Sequence, residues 1–130
     1  MKSKKKKHVY KTSIYYEDTD AGGIVYHTSY LRFAERARTE FLRSVHPSFL
    51  ISLRDGENFF VLRRLEVKFF KPSYLFDEII VETKILKIQK TYLKLNQLIK
   101  KNGTEICDIT LDLVWIGKNK KLPTKINEDL

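Results

Sequence analysis

Between residues 17 and 27 the chain reads Glu17-Asp18-Thr19-Asp20-Ala21-Gly22-Gly23-Ile24-Val25-Tyr26-His27. Three carboxylates and a glycine pair stand directly before a segment of helical periodicity, and the stretch closes on one of only three histidines in the chain. A carboxylate can deprotonate water or attack a carbonyl directly. Glycines let the backbone approach a bound group closely. A helix N-terminus presents unpaired N–H groups and the positive end of the helix dipole, which polarise a carbonyl oxygen. A flexible acidic loop feeding such a helix is therefore equipped to attack an acyl group. The pattern alone does not choose among Glu17, Asp18 and Asp20. His27 falls where the helix begins. Its backbone N–H is placed to donate to a substrate carbonyl while its ring positions water or substrate, and a capping or packing role fits the same position equally well. His8 and His46 receive no role.

Other chemistries lack their residues. The chain contains no G-x-S-x-G elbow and no Walker-type phosphate loop. One cysteine and three scattered histidines give no metal-ligand spacing, so neither a metal nor a redox cofactor is expected. Cys107 lies on an apolar alternating face, which predicts a buried, inert thiol. Arg63, Arg64, Lys68 and Lys71 form a basic strip, either a solvated face or a phosphate-binding one.

The positioning elements follow from periodicity. Val9 to Tyr16 reads as a first strand. From about Thr28, the residues Tyr30, Phe33, Ala34, Ala37, Phe41, Leu42 and Val45 recur at spacings of three and four, which predicts a helix. Thr28 or Ser29 is suited to cap it. Glu35 with Arg38, Arg36 with Glu40 and Glu40 with Arg43 are spaced to pair on its surface. Pro47 ends the run near residue 46, giving about 18 residues or about 27 Å of helix. After Asp55-Gly56 everything reads as strand: Arg64 to Phe69, Glu78 to Ile88, Thr91 to Lys100 and Glu105 to Ile116. The last two are joined by Asn102-Gly103, a strong hairpin signal. On the final strand Cys107, Ile109, Leu111, Leu113 and Trp115 share one face. Short connections favour an antiparallel sheet. One helix covers such a sheet only if the sheet curls around it, and the apolar surface left over calls for a second copy of the chain.

Composition sets the outer bounds. A length of 130 residues with 42% hydrophobic content suits one folded domain with one core. No apolar run approaches the roughly 20 residues of a membrane helix, and no apolar segment follows the basic N-terminus as in a signal peptide. A soluble cytoplasmic protein is expected. Residues 1–11 hold six lysines and no acid, whereas the remaining nineteen basic and sixteen acidic side chains nearly balance. Residues 1–8 read as a lysine-rich tail, 9–125 as the domain and 126–130 as a second tail. The tail suits solubility, and its charge also suits a peripheral contact with an anionic membrane or a polyphosphate ligand. The mildly basic domain, without an aromatic–basic RNA-binding motif, argues against a nucleic-acid partner.

The segment Tyr15-Tyr16-Glu17-Asp18-Thr19-Asp20-Ala21-Gly22-Gly23-Ile24-Val25-Tyr26-His27 resembles the active-site segment of hot-dog acyl-CoA thioesterases of the YbgC type, relatives of 4-hydroxybenzoyl-CoA thioesterase. The likeness continues through Tyr30 to Arg43 and covers roughly residues 9 to 125. Asp20, Gly23, Val25 and Tyr30 stand at the family's spacing. The resemblance implies an α+β hot-dog fold, a curved antiparallel sheet around one long helix. It implies Asp20 as catalytic carboxylate, nucleophile or general base, and His27 as the helix-start residue whose N–H polarises the thioester carbonyl. Gly23, Val25 and Tyr30 then contact substrate, and Arg63 and Arg64 the nucleotide phosphates. Implied partners are acyl-CoA, with acyl carrier protein as the alternative carrier, and a second copy in a homodimer, with a homotetramer expected and a place in lipid metabolism. A hot-dog hydratase or dehydratase and a basic non-catalytic binding module are the rival readings. Many relatives carry Asn just before the helix tyrosine, where this chain has Ser29.

Overall fold

The computed structural model describes residues 7–118 and the backbone of 122–123. The lysine-rich residues 1–6 and the tail at 126–130 lie outside the described residues. The chain order is β1 (His8–Ser13), a 3₁₀ turn (Tyr16–Asp18), α1 (His27–Val45), α2 (Pro47–Asp55), β2 (Asn58–Phe69), β3 (Glu78–Ile88), β4 (Tyr92–Lys101), β5 (Thr104–Gly117) and β6 (Leu122–Pro123). The strands form one antiparallel sheet in the order β1-β3-β4-β5-β2, with the two-residue β6 paired to β5. The chain leaves the sheet at one edge, β1, and returns at the other, β2. The helical segment between them occupies the concave face.

Alternation builds that face. Val81, Leu93, Leu95, Ile99, Cys107, Ile109 and Leu111 are buried against α1, which contributes Tyr30, Phe33, Ala34, Ala37, Phe41 and Leu42. Ala34 and Ala37 are fully buried, and their small side chains let the helix approach the strands closely. Gln97 on β4 meets the helix at this depth. Its Nε2 donates to the Ala34 carbonyl at 2.8 Å and to Thr83 Oγ1 at 2.9 Å, and its Oε1 accepts from Arg38 Nη1 at 3.0 Å. A fully buried amide is tolerable only because its donors and acceptor are partnered in this way. The Asn102-Gly103 hairpin has both residues at positive φ, 50° and 79°, as a type I′ turn requires.

Four expectations need correction. Residues 47–55 form a second helix: Pro47 ends α1 but also opens α2, since its missing N–H is no loss at a first helical position. The first strand stops at Ser13, because the chain turns at Tyr16–Asp18. Neither Thr28 nor Ser29 caps α1; the cap position is Tyr26, which supplies no side-chain bond, and the Ser29 hydroxyl is taken by the Asp18 carbonyl at 3.0 Å. Of the three surface ion pairs, Arg43–Glu40 forms at 3.2 Å, whereas Arg38 turns inward to Gln97. Burial pulls the Arg38 guanidinium below its usual pKa, with Glu35 opposing that shift. No helix among the described residues is long and apolar enough to cross a membrane.

Replacing Gln97 by Leu keeps the volume but strands the Thr83 hydroxyl and one Arg38 donor in the core. Loss of about 1–3 kcal/mol is expected, read as a lower urea midpoint with an unchanged slope.

Candidate active site

The acidic glycine-rich stretch is a tight hairpin, a correction to the flexible loop expected for it. Tyr26 N donates to the Asp18 carbonyl at 3.0 Å, Thr19 bridges Val25, and Asp20 N donates to the Ile24 carbonyl at 2.8 Å. Gly23 N closes the turn onto the Asp20 carbonyl at 3.1 Å. The returning arm pairs a second time, with the loop between β2 and β3: Val25 N donates to the Ser73 carbonyl at 2.9 Å, and Leu75 N to the Gly23 carbonyl at 3.1 Å. The turn needs φ of +80° at Gly23, a value that penalises any Cβ.

Asp20 sits at the tip, exposed. Its Oδ1 accepts from Gly22 N at 2.8 Å and Ile24 N at 3.3 Å, which fixes the carboxylate plane, and no hydrogen bond engages Oδ2 among the described residues. Two residues along the arm, about 7 Å, separate it from the Asp18–Tyr26 pair at which α1 begins. His27 is the first residue of α1 and is exposed; its ring lies 4.5 Å from that of Tyr26 and 6.5 Å from that of Phe69. With no side-chain cap and no acid in the first turn, the N–H groups of His27 and Thr28 have no partner among the described residues, while Ser29 N bonds the Tyr26 carbonyl at 2.8 Å. A fixed carboxylate beside an uncapped helix mouth is the arrangement that acyl attack requires.

The other residues singled out from the sequence are not all at the mouth. Val25 and Tyr30 are core residues. The Tyr30 ring packs against Phe33 and Phe69, and its hydroxyl lies beside Ser73 without a well-aligned bond. Burial is the main cause that raises the Tyr30 hydroxyl above its usual pKa. Arg63 occupies a bulge in β2. Its Nη2 bonds Asp112 Oδ2 at 3.1 Å, and its guanidinium stacks 4.0 Å over the Tyr92 ring. Arg64 is exposed and unpaired among the described residues, but five residues of strand, about 16 Å, separate it from Phe69. Cys107 is fully buried, its thiol pushed up to about 12, first by burial and then by Asp108, so it is not a nucleophile. No group of three metal-ligating side chains forms among the described residues.

Sequence reading left Asp18 undistinguished, yet it is 3% exposed and accepts bonds at three of its atoms. Its partners Ser29 and Arg32 lie eleven and fourteen residues away, beyond any local motif. Beside α1 runs a groove of about 430 Å³, lined by Leu31, Leu53, Phe59 and Leu62 with Arg32 and Glu35 on its polar wall. Leu31 is one helical turn from His27.

Residues 15–130 match the model of a family described as the thioesterase-like superfamily. The chain belongs to that superfamily. It is 44% identical over 118 residues to an acyl-CoA thioester hydrolase YbgC of Escherichia coli O6:H1, covering 90% of this chain and 87% of that protein. It is 32% identical over 117 residues to the acyl-CoA thioesterase YbgC of Haemophilus influenzae, covering 90% and 86%. The crystal structure of a probable thioesterase from Bartonella henselae superposes with a TM-score of 0.84 at 30% identity, over 94% of this chain and all of that one. The thioesterase-like chain thus carries the hot-dog architecture that the resemblance implied.

A Gly23→Ala variant tests the hairpin. The new Cβ meets nothing within 4 Å, so the effect is one of backbone strain alone. About 1–2 kcal/mol of stability should be lost, measured by urea unfolding.

Proposed function

We propose that this chain hydrolyses acyl-CoA thioesters to free CoA and a carboxylic acid. The observation that carries the reading is the Asp20 carboxylate, fixed at the hairpin tip next to the uncapped start of α1. The thioester carbonyl docks against the N–H of His27, where the helix dipole stabilises the charge that develops on oxygen. Asp20, with Oδ2 open, either takes a proton from water or adds to the carbonyl carbon to form an anhydride that water then opens. The thiolate of CoA departs without much need of an acid. The acyl chain runs from the mouth along the groove beyond Leu31, and the His27 ring orients water or substrate. The curated relatives' names support the thioester chemistry and the acyl-CoA substrate class.

The protomer alone leaves this site incomplete. β2 is an edge strand of 12 residues whose Val61, Leu62, Leu65 and Phe69 are exposed. An open apolar edge invites pairing, and antiparallel pairing with itself is a closed two-fold solution. Pairing centred on the strand sets Arg63 and Arg64 of one protomer opposite the same pair of its partner, and so gathers four guanidinium groups at the middle of the seam. We assign phosphate binding to Arg64 in this homodimer, as the exposed guanidinium of the strip that no ion pair holds among the described residues. Arg63 supports it from its place on Asp112 and Tyr92. A homotetramer of two such dimers is the proposed assembly, and lipid metabolism the proposed setting.

An Asp20→Asn variant should fold normally and release thiol from acyl-CoA about 10² to 10⁴ times more slowly. Full activity in that variant, or enoyl formation without thiol release from the wild type, removes the proposal. Placing Glu at both Leu62 and Leu65 should halve the dimer mass in size-exclusion light scattering and abolish thiol release. A wild-type protein that elutes as a monomer contradicts the paired edge.

A further inference from the structure

We infer that Asp18 is a positioning residue, whose buried carboxylate, held by Arg32, fixes the Asp20 hairpin against the mouth of α1. The inference deepens the thioesterase reading and rests on it for its catalytic meaning, but the geometry can be tested without activity.

Asp18 accepts hydrogen bonds from four residues. Its Oδ2 accepts from Tyr15 N at 2.9 Å, at the exit from β1. Its Oδ1 accepts from Arg32 Nη2 at 3.2 Å, one turn into α1. Its carbonyl accepts from Tyr26 N and from Ser29 Oγ, each at 3.0 Å, at the helix start. Ser29 Oγ in turn accepts from the same Arg32 Nη2 at 3.0 Å. The Asp18 side chain is 4% exposed and that of Arg32 46%. A carboxylate so buried is strongly disfavoured unless charge and hydrogen bonds compensate it. The bond to Tyr15 N alone would make Asp18 a local cap of the 3₁₀ turn. The bonds to Ser29 and Arg32 come from another element, and they tie the base of the hairpin to the first two turns of α1.

The consequence reaches the tip. Asp20 and the His27 N–H are set relative to one another through this short hairpin and the helix start, with the loop at 73–75 bonded to the returning arm. A base that shifts by about 1 Å misplaces the carboxylate relative to the carbonyl, an error able to lower a rate by about 10²-fold. Arg32 also lines the groove. Arg32 therefore borders the proposed acyl path as well as supporting the carboxylate.

Asp18→Asn isolates the charge. In either orientation of the amide, its NH₂ faces a donor, Tyr15 N–H or the Arg32 guanidinium. Arg32→Met removes the same link from a half-exposed position and keeps most of the side-chain volume, so it guards against a misfolded Asn variant. Arg32→Lys restores a donor. Amide exchange is the first measurement. Gly22, Ile24 and Tyr26 should exchange about tenfold faster or more in Asp18→Asn and Arg32→Met, with Ala34 and Ala37 unchanged and Arg32→Lys intermediate. Thiol release is the second: kcat should fall about 10²-fold with KM within about twofold, and Arg32→Lys should recover part of the loss. Unchanged hairpin exchange overturns the positioning role whatever the activity, and so does loosening spread evenly over α1. Faster hairpin exchange with wild-type kcat overturns its catalytic meaning. Absence of thiol release from the wild type itself counts against the thioesterase reading, while the exchange data still decide what Asp18 holds.

Discussion

One buried amide sets how deep α1 sits in the sheet. Gln97 reaches from the central strand β4 to the Ala34 carbonyl, to Thr83 on β3 and to Arg38 on α1 itself. Apolar packing supplies most of the driving force for the fold, but it is tolerant of small slides, whereas a hydrogen-bonded amide in low dielectric is not. Ala34 and Ala37 leave room for the close approach, and Gln97 selects one position within it. Where α1 lies determines where its first turn emerges, and every feature of the mouth is referred to that point.

The mouth itself is shaped by what does not cap it. A helix start ordinarily recruits a Ser, Thr, Asp or Asn to satisfy its free N–H groups. Here Ser29 and Asp18, two nearby residues of that kind, are bound to each other and to Arg32 instead. Tyr26 at the cap position contributes no side-chain bond. The first N–H groups of α1 stay unclaimed among the described residues, a local loss of stability of the kind that functional sites carry. The hairpin between β1 and α1 is bound on its far side by the loop after β2, so the carboxylate at its tip has backbone on both flanks.

Much of this was legible from residue order. Strict alternation gave β5 and its buried face, Asn102-Gly103 its turn, and three-four spacing the length of α1. The acidic segment was recognisable as chemistry because carboxylates, glycines and a helix start seldom fall together. What escaped reading depends on contacts distant in sequence or on residues with two uses. Pro47 signals a stop as well as a start, and His46 closes one helix while preceding the next. Arg38 has a plausible surface partner in Glu35, and only the depth of α1 turns it towards Gln97. The hairpin looked like a loop because its local pairs are few and it is braced by residues 73–75, about fifty positions on. Asp18 looked like one acid among three because its partners lie on the next element.

The second helix is anchored chiefly by one ring, with Leu50 packed partly beside it. Phe49 is the buried residue of α2, and it lies 4.8 Å from the Trp115 ring and 5.5 Å from Phe60, centroid to centroid. Phe60 closes the trio, 4.5 Å from Trp115. Trp115 is the sole tryptophan of the chain. Its fluorescence therefore reports on the packing of this helix against β5, with no label and no competing indole.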